Sequence, residues 1–285
     1  MSSICSDEQD YTMYLNTAMA IVEEAGNRLS EEVSHKGSRP FRVKTTDADL
    51  VSATDISIQE YVFACLRESF PGHSFFGEEN AGESENWRHL LDHGFVWVLD
   101  PVDGTTNWIH NFPFVCISLA LVVEGIVQVA VVYDVYRKKL FHACRGKGAF
   151  CNDKVLNVST VERLKEALVI TEFGYVRDES GLSTILNVLH TLLLYGAHGI
   201  RQTGCGVLDL CLLASGQVDA LYAGVGGEGW KPWDYAAGYL IVKEAGGTIC
   251  SLDNDEFHLC SASIVCACSS SLAFELRKVI LQTKE

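Results

Sequence analysis

Hydrophobic positions along this chain recur with two different periods. From Tyr11 to Ser34, the residues Leu15, Ala18, Ile21, Val22 and Leu29 fall on one side of a 3.6-residue repeat, which predicts an amphipathic helix. Ile58, Tyr61, Val62, Cys65 and Leu66 predict a second helix, with Thr54 or Asp55 as its cap. The stretch between them, residues 35–49, is polar, carries Gly37 and Pro40, and reads as a loop. Phe75-Phe76-Gly77-Glu78-Glu79 reads as a short strand ending in acids, and Phe95 to Leu99 as a second, apolar strand. A meander follows. Val115 to Val123 turns at Glu124-Gly125 into Ile126 to Val135, and Arg137-Lys138 leads on to Leu140 to Ala143. The period becomes helical again over Gly181 to Tyr195 and Val207 to Ala214. Val218 to Tyr222 reads as a strand; Trp233 to Ala245, opened by Asp234, and Ser271 to Gln282 read as helices. Strands and then helices, twice over, predict an α+β fold with sheets packed between helix pairs. The two halves are expected at residues 1–155 and 156–285.

Composition narrows the partners. The chain has 285 residues, 48% of them hydrophobic and 21% charged, which is ordinary for a globular protein. Its net charge of −15 disfavours nucleic-acid backbones and anionic membranes. No apolar run is long enough to span a bilayer. Met1 to Asp10 is polar and acidic, unlike a secretory signal, so a cytoplasmic location is expected. Among the 11 cysteines no C-x-x-C pair occurs. Cys65, Cys116, Cys211 and Cys266 lie in apolar runs and read as buried free thiols of a reducing compartment.

Candidate chemistry concentrates where the apolar strand from Phe95 ends in Asp100-Pro101-Val102-Asp103-Gly104-Thr105-Thr106-Asn107. A strand end aims acids rigidly, and two carboxylates held together repel unless a cation sits between them. Glu78 and Glu79 end another strand, and Asp234 opens a distant helix. Taken together these are hard oxygen donors suited to Mg²⁺, with no Cys or His set suited to zinc. Gly104 permits close backbone approach, and the Gly104 and Thr105 N–H groups would meet a phosphate at a helix start. Haloacid-dehalogenase-type phosphatases also end an apolar strand in two aspartates, but two residues apart. Here they are three apart with Pro101 between, which argues against a phospho-aspartate route.

With those residues in hand, the chain resembles the inositol monophosphatase family of Mg²⁺-dependent, lithium-sensitive phosphatases. Trp97 to Asn107, WVLDPVDGTTN, and Trp233 to Gly247, WDYAAGYLIVKEAGG, match its two signatures. Asp49 to Asp55, Gly77-Glu78-Glu79, Phe112-Pro113-Phe114, Gly146 to Phe150 and His198 to Arg201 follow in family order. The resemblance implies a layered α-β-α-β-α sandwich of the sugar phosphatase type, usually dimeric, with two or three Mg²⁺ per subunit. It implies that Glu78, Asp100 and the Val102 carbonyl ligate one metal, and that Asp100, Asp103 and Asp234 ligate the second. Glu78 and Thr105, with Asp55 behind Thr105, would activate the attacking water, while Gly104 and Thr105 hold the phosphate. It raises Lys44, by itself an ordinary solvated lysine, to a residue near the site. The implied reaction is hydrolysis of a small phosphorylated polyol, myo-inositol 1-phosphate first. Other sugar phosphates, histidinol phosphate and bisphosphorylated nucleosides are the alternatives, and an inactive binding protein on the same fold is a further one.

Several positions depart from the pattern of the animal enzymes. Tyr175 follows Thr171-Glu172-Phe173-Gly174 where that pattern has serine, and Cys205-Gly206 replaces a Thr-Ala or Ser-Ala pair. Ala223 stands where the family places a sugar-facing glutamate. The loop from Gly224 to Pro232 is longer, and Glu228 in it is the expected replacement. Asp103, Gly206, Glu228 and Asp234 are therefore the expected substrate contacts. His110, His142, His198 and His258 read as surface or packing residues, and Trp97, Trp108 and Trp233 as core aromatics.

Overall fold

The structure is a computed structural model that describes residues 10–33, 39–44, 49–83, 87–227 and 229–284. Helix α1 (Thr12–Glu32) leads to a short antiparallel ribbon, β1 (Phe41–Val43) with β2 (Leu50–Ser52), and to helix α2 (Ala53–Ser69). The stretch expected to be loop thus contains a strand, although residues 35–38 and 45–48 within it lie outside the described part. Ser52 caps α2. Its hydroxyl accepts from the Thr54 N–H, and the Asp55 carboxylate accepts in return from the Ser52 N–H. Thr54 or Asp55, the caps expected from sequence, lie two or three residues further on. The Ser-x-x-Asp spacing is a capping box, which moves it back to Ser52.

Seven strands form the larger sheet: β3 (Ser74–Gly77), β4 (Phe95–Asp103), β5 (Cys116–Val123), β6 (Ile126–Asp134), β7 (Lys139–Cys144), β8 (Ala149–Cys151) and β9 (Lys154–Val155). They lie in chain order. β3 runs parallel to β4 and every later pairing is antiparallel. The smaller sheet has the order β11-β10-β12-β14-β13, from β10 (Leu168–Thr171), β11 (Gly199–Arg201), β12 (Ala220–Ala223), β13 (Thr248–Cys250) and β14 (Ile264–Ala267). Helices α3 (Trp87–Leu91) and α4 (Thr105–His110) flank β4. The remaining helices are α5 (Glu179–Tyr195), α6 (Gly206–Ala214), α7 (Pro232–Glu244) and α8 (Ser270–Lys284).

Burial assigns the layers. One apolar cluster joins Ala18, Val22 and Leu29 of α1 and Val62 and Leu66 of α2 to Leu99, Leu119 and Val131 of the large sheet. The alternate residues of those strands, Val98, Ala120 and Val132, face the other way. They pack on Leu210 of α6 and Leu240 and Ile241 of α7, which also meet Ile170, Leu221 and Cys266 of the small sheet. Val188 of α5 and Leu272 and Leu276 of α8 cover that sheet's outer face. The result is the expected α-β-α-β-α stack of an α+β fold. Because α6 and α7 are wrapped by sheets on both sides, they are apolar almost all round. No helix among the described residues is long and apolar enough to cross a membrane.

Candidate active site

The register of the large sheet brings the first acids together. Gly77 of β3 pairs with Leu99 of β4, so the chain leaving β3 sets Glu78 beside Asp100. β4 does not stop at Leu99 as its apolar run suggests. It continues to Asp103, with Asp100 opposite Ser118 and Asp103 opposite Cys116, across an irregularity at Pro101-Val102. Proline offers no N–H to the ladder, and a bulge there re-aims the following side chain. Asp234 arrives from the far half of the chain. It is the third residue of α7, whose first residue is Pro232, and its carboxylate accepts from the Lys231 N–H. Helix α7 therefore opens at Pro232, two residues before the acid expected to open it.

These four carboxylates lie close enough to act on one another electrostatically. Burial raises the Asp100 carboxyl well above its ordinary value, and Glu78, Asp103 and Asp234 push it further. Burial likewise lifts Glu78 to about 7, with Lys44 opposing and Glu79 adding. Asp234 is raised by burial and by Asp103 and Glu78. Lys44 Nζ donates to Glu78 Oε1 at 2.9 Å and to Glu79 Oε1 at 2.6 Å, which places this lysine in the site. Among the described residues, no Lys or Arg ion-pairs with Asp100, Asp103 or Asp234. A half-buried group of acids so poor in counter-charge is a set of hard oxygen donors that fits divalent cations such as Mg²⁺.

Next to the acids, Gly104 turns the chain into α4 with φ +88°, a left-handed conformation. A Cβ there would lie 2.6 Å from the Phe114 carbonyl oxygen, so this position needs glycine on two counts. Thr105 begins the helix, and its Oγ1 lies 3.0 Å from both Asp55 Oδ1 and Val102 O. Burial raises the Asp55 carboxyl, but the Ser52 hydroxyl, the Ser52 N–H and the Thr105 hydroxyl all donate to it and oppose the shift. The Thr105 proton is thus directed inward, which leaves its lone pairs for a donor in the cleft.

Asp103 is held from the other half of the chain. Its Oδ2 accepts from the Val207 N–H at 2.7 Å and from the Cys205 thiol at 3.0 Å. Burial raises both neighbouring thiols, Cys116 to about 12 and Cys205 well above the ordinary range, so each is protonated and able to donate. A cleft of about 400 Å³ opens over Asp103, Gly104, Thr105 and Asp234. Gly206 lines it as well; a Cβ on Gly206 would meet the Trp230 ring at 2.6 Å. Cys205-Gly206 is therefore matched to the long loop, whose Trp230 lies where an alanine methyl would stand. Glu228 lies outside the described residues, while Gly229 and Trp230 beside it line the cleft. Ala223 is buried in β12.

Tyr175, Glu172 and Asp209 are not marked as site residues by the sequence. Tyr175 is 46% exposed at the cleft, with its hydroxyl raised by burial and by Glu78, Asp234, Asp49 and Asp100. Glu172 accepts from the Thr203 and Gly204 N–H groups, and Asp209 from the Thr203 hydroxyl, so these two buried acids hold the turn before Cys205. The Glu172 partners lie more than 30 residues away and are backbone N–H groups, which no local spacing reveals. The tryptophans behave as expected. Trp97 and Trp108 are fully buried, and Trp233 packs on Phe76 at 5.3 Å.

This architecture and acid pocket define a known class. The chain matches the model of the inositol monophosphatase family over residues 10–283. It is 35% identical to inositol monophosphatase 1 of Bos taurus over 266 residues, 93% of each chain. It is 37% identical to human inositol monophosphatase 2, covering 92% of this chain and 88% of the relative. Among solved structures, the extragenic suppressor protein suhB of Bartonella henselae superposes with a TM-score of 0.82 at 28% identity, covering 94% and 98% of the two chains. The protein belongs to the inositol monophosphatase family, a family of phosphatases.

Proposed function

We propose that the protein is a Mg²⁺-dependent phosphomonoesterase that hydrolyses a phosphorylated polyol, myo-inositol 1-phosphate first, by direct attack of water. The observation that carries this reading is the convergence of Glu78, Asp100, Asp103 and Asp234, from three separate segments, beside the Gly104-Thr105 helix start. Glu78, Asp100 and the Val102 carbonyl would hold one ion, and Asp100, Asp103 and Asp234 a second. When bound, such ions supply charge neutralisation, a more acidic water and stabilisation of the leaving alkoxide. The chain's own groups do the rest. Thr105, with its proton turned to Asp55, accepts a hydrogen bond from the attacking water and orients it. Glu78 takes the water's proton. The Gly104 and Thr105 N–H groups receive the phosphate oxygens. A cleft of about 400 Å³ suits a substrate the size of a single sugar or cyclitol phosphate.

The test is phosphate release from inositol, sugar, nucleotide and histidinol phosphates compared as kcat/KM. We expect myo-inositol 1-phosphate to lead. Equal turnover of every member, or none of any, would contradict the reading.

A further inference from the structure

Beneath the acid pocket lies a second donor set of different chemistry. Cys116 sits at the start of β5 and Cys205 immediately before α6; both are fully buried. Their sulfurs are 3.8 Å apart, and Asp103 Oδ2 lies 3.0 Å from Cys205 Sγ and 3.8 Å from Cys116 Sγ. Among the described residues this is the one place where three such ligand atoms gather within 4.8 Å. Zinc–thiolate bonds of about 2.3 Å at a tetrahedral angle set two sulfurs about 3.8 Å apart, and a sulfur and a carboxylate oxygen about 3.5 Å apart. The sulfur pair already has that spacing, and Asp103 needs to move by only about 0.5 Å.

We propose that Cys116, Cys205 and Asp103 form a site for a thiophilic divalent cation, Zn²⁺ or Cd²⁺, whose fourth ligand is water from the cleft. On binding, two S–H bonds break, two metal–sulfur bonds form, and two protons leave for solvent. The local charge is −1 before, from Asp103 alone, and −1 after, from one dication and three anions. Burial therefore gains no new net charge. Mg²⁺ does not compete for the sulfurs, because it is a hard ion that takes oxygen ligands. Occupancy withdraws Asp103 from the oxygen donors of the neighbouring site. Loss of phosphate release on zinc loading rests on the proposed function, whereas zinc binding itself does not.

The experiment titrates the reduced, metal-stripped full chain with Zn²⁺ against a chromophoric chelator, in excess Mg²⁺. A parallel titration with Cd²⁺ follows the ultraviolet thiolate charge-transfer band. We expect one equivalent bound with a Kd below about 1 µM, and a cadmium band that saturates at one equivalent. In Cys116→Ala/Cys205→Ser the affinity should fall at least about 100-fold. If that variant fails to fold, Cys116→Ser and Cys205→Ser singly should each lose about tenfold or more, since each replaces one thiolate in nearly the same volume. A wild-type Kd weaker than about 1 µM, or unchanged stoichiometry and affinity in the folded variants, would overturn the site. Wild-type protein that binds zinc yet hydrolyses no phosphate ester would instead count against the phosphatase reading alone.

Discussion

Asp234→Asn should lower kcat on the best substrate by about 1000-fold while leaving the metal-free protein as stable as before, or more so. The two expectations have one cause. Asp234 is an acid that burial and its neighbours Asp103 and Glu78 drive toward its neutral form. Asparagine has nearly the same shape and keeps an oxygen to accept from the Lys231 N–H that opens α7. It removes the negative charge that the metal-free pocket bears as repulsion. In the proposed mechanism that same charge would hold a divalent ion, which would in turn stabilise the negative charge that develops in the transition state. Activity and metal-free melting temperature should therefore move in different directions. Retention of more than about a tenth of wild-type turnover would remove Asp234 from the ligand set.

Thr105→Val should lower kcat by about 100-fold with a much smaller change in the Mg²⁺ concentration for half-maximal rate. Valine keeps the β-branched shape at the first position of α4, so the helix start and Gly104 turn remain. It deletes the hydroxyl that lies 3.0 Å from Asp55 Oδ1. In the proposed mechanism the attacking water would lose its acceptor, while Asp55 keeps its donors from Ser52. Rates and metal dependence measured side by side check this. A fall in metal affinity that accounts for the whole loss would show that Thr105 acts through the ions rather than on the water.

The strongest parts of both fold and site were legible because they are local. The meander of β5 to β7 and the helices α1, α2, α5 and α8 follow from period and turn residues. The site acids sit at segment ends that one or two signatures specify. What escaped is short or long-range. β10, β11, β13 and β14 have only three or four residues each, too few for periodicity to register. β4 runs past its apolar stretch because its neighbour β5 supplies partners for Asp100 and Asp103, a fact the composition of β4 itself hides. The thiols against Asp103 come from residues 89 positions apart. In sequence Cys116 reads as a buried core thiol and Cys205 as half of a departing pair, and only the packing of α6 against β5 brings them together. In sequence Gly206 reads as a substrate contact, and the need for glycine there comes from Trp230, which a Cβ would meet at 2.6 Å.

Whether the clustered acids serve phosphate hydrolysis through Mg²⁺ is tested most directly by the rate of phosphate release from myo-inositol 1-phosphate by protein dialysed against EDTA, measured before and after Mg²⁺ is restored. No turnover is expected in chelator, with recovery that saturates with added Mg²⁺. Full turnover in excess EDTA would contradict that role.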